Sequence, residues 1–145
     1  MIFKNRLFLF SMSLLFVGFF YYLLFRQPVL GSYYLGVTSW HKEWFSDSLF
    51  NWLPSFVHQL SFVLLTWLAL DREHKWFALL FWMFVNSIFE LGQSFSANDT
   101  LFLPKVIEEY LKNGTYSNGD MGAIFVATFV AYLIIKHIEK RESNV

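Results

Sequence analysis

Polarity along the chain alternates between long apolar runs and short polar or charged stretches. Residues 7–25 are almost wholly apolar, 53–70 and 76–93 make a second and third run, and 121–136 a fourth. At about 1.5 Å per helical residue, such runs match or approach the ~30 Å hydrocarbon core of a bilayer. The pattern predicts an all-α membrane protein: a four-transmembrane-helix bundle forming one integral membrane domain over residues 1–145. The connections at 26–52 and 94–120 become loops on one side, each carrying a short interfacial helix. In the first, Trp40, Trp44, Phe45, Leu49 and Trp52 recur at helical spacing opposite His41, Lys42, Asp47 and Ser48. Aromatic residues on one face and polar ones on the other suit a helix lying in the headgroup region. In the second, Pro104 to Lys112 places Val106, Ile107, Tyr110 and Leu111 on one side, with Gly114 just past the end. Pro54 falls in the first turn of the second run, where its missing N–H is harmless. Asp71 to Lys75 reads as a tight charged turn, and the tail from Lys136 to Val145 as charged and frayed.

Composition sharpens the class. The chain is 56% hydrophobic and 15% charged, with 19 Phe, 7 Tyr and 6 Trp, an aromatic load suited to lipid-facing surfaces and headgroup belts. The first run is longer than the apolar part of a usual signal peptide, and no small-x-small cleavage site follows it, so it reads as a retained span. A net charge of zero recommends no nucleic acid. The absence of Cys excludes disulfides and thiolate chemistry.

Basic residues set the orientation. Lys4, Arg6, Arg72, Lys75, Lys136, Lys140 and Arg141 occupy the terminal segments and the 71–75 turn, whereas the two longer loops hold only Arg26, Lys42, Lys105 and Lys112. The positive-inside bias puts both termini in the cytoplasm and both long loops outside.

The third run carries polar side chains where none is needed for spanning. Asn86, Glu90 and Gln93 stand at i, i+4 and i+7, on one helical face. A carboxylate there is costly in lipid and should face the bundle interior or a wet cavity. From Trp76, fourteen residues raise Glu90 by about 21 Å, into the outer third of the core. His58 lies about 6 Å inward from Pro54, and Asp120 opens the fourth run from the same side. Three titratable groups from three spans therefore converge at one depth. Each also has a plainer role. Glu90 can fasten helices as a neutral, hydrogen-bonded acid, His58 can be an ordinary buried histidine, and Asp120 can serve the helix dipole. Gln93 would orient Glu90. The spacing demands no metal or cofactor, and no Gly-rich phosphate loop or nucleophile elbow is present. Gly119, Ala123, Ala127 and Ala131 repeat every four residues, a surface that lets another helix approach closely in a membrane.

Three segments together resemble the VanZ-like family of small bacterial membrane proteins. They are LPSFVHQLSFVLLTWL at 53–68, FELGQSF at 89–95 and GTYSNGDMGA at 114–123. The chain departs from the family pattern at Pro54 and Ser55, where an acidic residue commonly precedes the His. It lacks an Arg soon after the E-x-x-Q, and has Ile124 in place of an Asn. The resemblance implies a multi-pass protein of the bacterial inner membrane, in a family associated with resistance to glycopeptide antibiotics. On this reading an outward-facing pocket of His58, Glu90, Gln93, Asp120 and Asn86 binds a lipid-linked or glycan-type envelope ligand. Two other readings stand beside it. One is an accessory subunit docking a larger membrane complex through Gly119, Ala123, Ala127 and Ala131. The other is a small intramembrane hydrolase or transferase with Glu90 and His58 as acid and base, for which no nucleophile is identifiable.

Overall fold

The computed structural model describes residues 2–21, 52–70, 73–94 and 116–143. Among them are four helices and no strand: α1 (Ile2–Tyr21), α2 (Leu53–Ala69), α3 (Lys75–Gly92) and α4 (Asn118–Glu142). The expected interfacial helices at Trp40–Trp52 and Pro104–Lys112 lie outside the described residues, apart from Trp52 itself.

Cross-helix partners give the topology. Between α2 and α3, Thr66 pairs with Trp82 and Gln59 with Asn86, so residue numbers run in opposite directions along the two helices. Between α2 and α4, Ser55 pairs with Asp120 and Gln59 with Thr128, so these two run parallel. The last turns of α1 meet the first turns of α2 where Gly18 faces His58 and Val57. The result is an up-down-up-down bundle, with the N-terminus of α1 and the C-terminus of α4 at the same end.

Helix α2 is the hub, packing against each of the other three. It is the most heavily buried of them, with Val63, Leu64 and Trp67 fully enclosed. Around it gather Leu7 of α1, Ala78 and Leu79 of α3, and Ala127, Ala131, Ile135 and Ile138 of α4. The outer perimeter is also apolar, which is unlike a water-facing surface. Leu9 on α1, Phe84 on α3 and Phe129 on α4 are 63%, 64% and 61% exposed. Apart from Trp67, the fully buried core is built of small and aliphatic groups, while many of the large aromatics point outward.

Among the described residues one helix, Asn118–Glu142, is by length and composition long and apolar enough to cross a membrane. At 17 residues, α2 is a shorter apolar helix.

Two boundaries differ from expectation. Lys4 and Arg6 lie inside α1 rather than ahead of it. The segment from Lys136, expected to fray, continues α4 to Glu142. Ile138 is buried there, and Glu139 accepts from Lys75 at 2.6 Å, tying the extension to α3. Lys140 and Arg141 in the last turn complement the negative end of the helix dipole.

Candidate functional site

At the end of the bundle away from the two termini, α2, α3 and α4 bring polar groups together. Pro54 sits in the first turn of α2. The next residue, Ser55, donates from its hydroxyl to Asp120 Oδ1 at 2.8 Å. Asp120 lies in the first turn of α4 and is fully buried.

The start of α4 is built by Ser117. Its backbone is extended, and its hydroxyl accepts from the N–H groups of Gly119 and Asp120 at 3.2 and 3.4 Å, the ordinary role of an N-cap serine. Its own N–H donates to Glu90 Oε1 at 2.7 Å. Glu90, only 5% exposed, therefore reaches from the last turn of α3 to the N-terminus of α4. Two buried carboxylates from different helices thus share one helix N-terminus, whose unsatisfied N–H groups and positive dipole end favour negative charge.

One layer further in, Gln59 of α2 is fully buried between two helices. Its side-chain nitrogen donates to the Thr128 hydroxyl at 2.8 Å, and its oxygen accepts from the Asn86 amide. Exchanging the two amide atoms keeps Gln59 pinned, with its nitrogen on the Trp82 carbonyl at 3.0 Å and its oxygen on Thr128. In either orientation one glutamine joins α2, α3 and α4. In the first orientation the Thr128 hydroxyl is free to donate to the Ile124 carbonyl at 2.8 Å.

The five residues singled out by sequence are therefore distributed as follows. Glu90 and Asp120 come together at the start of α4. Asn86 shares their helix junction but is engaged by Gln59. Gln93 is the C-cap residue of α3, its backbone N–H donating to the Glu90 carbonyl at 3.2 Å. His58 turns toward α1. A Cβ placed on Gly18 would stand 3.0 Å from His58 Nε2, and the ring stacks on Phe62 at 6.0 Å. Phe62 in turn stacks on Trp82 at 4.5 Å. Among the described residues no hydrogen bond or ion pair joins His58 to Glu90 or Asp120. Nor do three or more His, Asp or Glu side chains gather at metal-binding distance there.

Ser55, Gln59, Ser117 and Thr128 belong to the same arrangement and escaped the sequence reading. A signal existed for two of them: Ser55 and Gln59 are at i, i+4 on a largely apolar helix. The alanine stripe is also accounted for. Ala123, Ala127 and Ala131 are buried inside the bundle, while Gly119 is exposed.

Comparisons with protein-family models, with curated proteins and with solved structures find no match to this chain.

Proposed function

We propose that this chain is a four-span, VanZ-like membrane protein of the bacterial cell envelope, with a ligand-binding end formed by α2, α3 and α4. The observation that carries the reading is the burial of two carboxylates, Glu90 and Asp120, at one end of a bundle whose perimeter is apolar. Burying two acids is expensive, and in a membrane such groups are retained for function or for helix fastening. The exposed aromatic faces of α1, α3 and α4 support placement of all three in lipid, with α2 enclosed among them. The membrane criterion met by α4 agrees.

The donor and acceptor types narrow the ligand. Carboxyl groups offer mainly acceptor oxygens, so the part of an envelope molecule read here is rich in donors. Sugar hydroxyls and the amide or ammonium groups of a glycan-linked peptide fit. A phosphate, itself rich in acceptor oxygens, belongs elsewhere on the protein.

The test is binding by the purified chain in lipid nanodiscs, titrated with a soluble disaccharide-peptide fragment of peptidoglycan and followed by tryptophan fluorescence. Glu90→Gln keeps the shape and still accepts the Ser117 N–H. It should bind at least tenfold more weakly while unfolding at the wild-type temperature. Equal affinity in the variant would make Glu90 a fastening residue alone.

A further inference from the structure

The opposite end of the bundle carries a second, differently built surface. Every Lys and Arg among the described residues belongs to that end: Lys4, Arg6, Lys75, Lys136, Lys140 and Arg141. Not all are equally available. Lys75 is bound to Glu139 at 2.6 Å, and Arg141 occupies the last turn of α4. Lys136 is exposed, with its ammonium 5.8 Å from the centre of the Tyr132 ring. Tyr132 stacks on Trp76 of α3 at 5.7 Å with the rings nearly parallel, and Trp76 is 58% exposed. A cation, a tyrosine and an exposed indole from two helices therefore form one platform.

The platform continues into an apolar stripe. Lys140, Lys136, Tyr132, Phe129 and Phe125 stand at intervals of three or four residues, so they share one face of α4. Phe129 and Phe125 are 61% and 52% exposed. From Lys136 to Phe125 is eleven residues, roughly 16 Å of helix. That is about half of the ~30 Å hydrocarbon core, the depth of one leaflet. Charge at the top, aromatic rings at the shoulder and bare Phe below reproduce the polarity profile of a single phospholipid.

We propose that the Trp76/Tyr132/Lys136 platform is a binding site for an anionic phospholipid, with the headgroup phosphate on Lys136 and an acyl chain along Phe129 and Phe125. The inference rests on the membrane reading above. Its occupant follows from charge complementarity and from continuity with the apolar stripe. Basic clusters beside membrane-spanning helices attract anionic headgroups through the surface potential of the leaflet. Aromatic residues at the same level hold the helix ends at the interface. Lys75 is tied to Glu139, which leaves Lys136 nearest the aromatic rings, with Lys140 one turn beyond it on the same face.

The experiment uses the full chain purified into nanodiscs of zwitterionic lipid, and into discs with one quarter phosphatidylglycerol. The readout is lipid retained on release into mild detergent, measured by native mass spectrometry. Wild type should retain phosphatidylglycerol at least fivefold over its share of the disc. Lys136→Gln should bring retention down to that share, and Trp76→Ala should lower it severalfold. Glu90→Gln, at the far end, should retain lipid as wild type does. Soluble glycerol phosphate at millimolar concentration should not compete, because it has no acyl chain to lay on Phe129. Competition by it, or a Lys136→Gln protein that keeps its preference, would overturn the proposal. A chain that inserts normally but shows no headgroup preference would also overturn it while leaving the membrane reading intact. Failure to insert in either kind of disc would instead end both.

Discussion

Glu90 accepts the backbone N–H of Ser117 at 2.7 Å, a bond between residues 27 apart in the chain. A side chain at the end of α3 therefore fixes the N-cap residue of α4, and with it the position of Asp120 three residues later. Deleting that acceptor should loosen the whole junction. Glu90→Ala is expected to lower stability by about 1–3 kcal/mol, the cost of leaving a half-buried donor unsatisfied. Thermal unfolding in detergent, followed by circular dichroism, measures it. Glu90→Gln should keep most of the wild-type stability.

Ser55 offers a separate handle on the second carboxylate. Its hydroxyl is a donor to Asp120 Oδ1, and a typical intramolecular hydrogen bond contributes roughly 0.5–1.5 kcal/mol. Ser55→Ala should destabilise within that range. Its effect should combine non-additively with Glu90→Ala, because both act on the first turn of α4.

Gly18 is where α1 passes His58. A methyl group there would sit 3.0 Å from Nε2 and 3.1 Å from Cδ2 of a ring already stacked on Phe62. Gly18→Ala is expected to cost about 1–3 kcal/mol through overpacking. Adding His58→Ala should return part of the loss, which a double-mutant cycle in the same unfolding assay would detect. A purely additive cycle would show that α1 accommodates the methyl by shifting elsewhere.

Ala127 is fully buried in the bundle and Phe125 is exposed on its outside. Ala127→Leu should therefore lower stability by roughly 1–3 kcal/mol or reduce the folded yield. Phe125→Leu should stay within about 0.5 kcal/mol, as surface changes usually do. Expression level and unfolding temperature of the pair decide the matter.

Orientation is tested in cells. Single cysteines at Ser46 and Ser143 report on a first loop and a C-terminus expected on opposite sides of the membrane. A membrane-impermeant thiol reagent should label Ser46→Cys in intact cells and Ser143→Cys only after lysis. The reverse pattern would place the carboxylate end of the bundle in the cytoplasm.

The existence and rough extent of the four helices are legible in the order of residues alone. Apolar runs of that length, punctuated by Pro54 and by charged turns, leave the backbone few other ways to satisfy its hydrogen bonds. The sequence also marked Glu90 and Asp120, because a carboxylate in or beside such a run demands a partner wherever the helix goes. It misjudged the tail, since hydropathy falls at Lys136 while the alternation of Ile135 and Ile138 with charge continues a helix face. Lys75, some 60 residues earlier in the chain, completes that extension.

Which polar groups meet depends on packing between the helices. Spacing fixes faces within one helix, but the rotation of each helix about its axis depends on how all its neighbours pack. That rotation gave Asn86 to Gln59 and His58 to Gly18, although the sequence reading grouped both with Glu90. The small-residue stripe shows the same limit. A repeat of four residues drifts about 40° per step around a helix of 3.6 residues per turn. Ala123, Ala127 and Ala131 therefore stay in the core while Gly119 turns out of it.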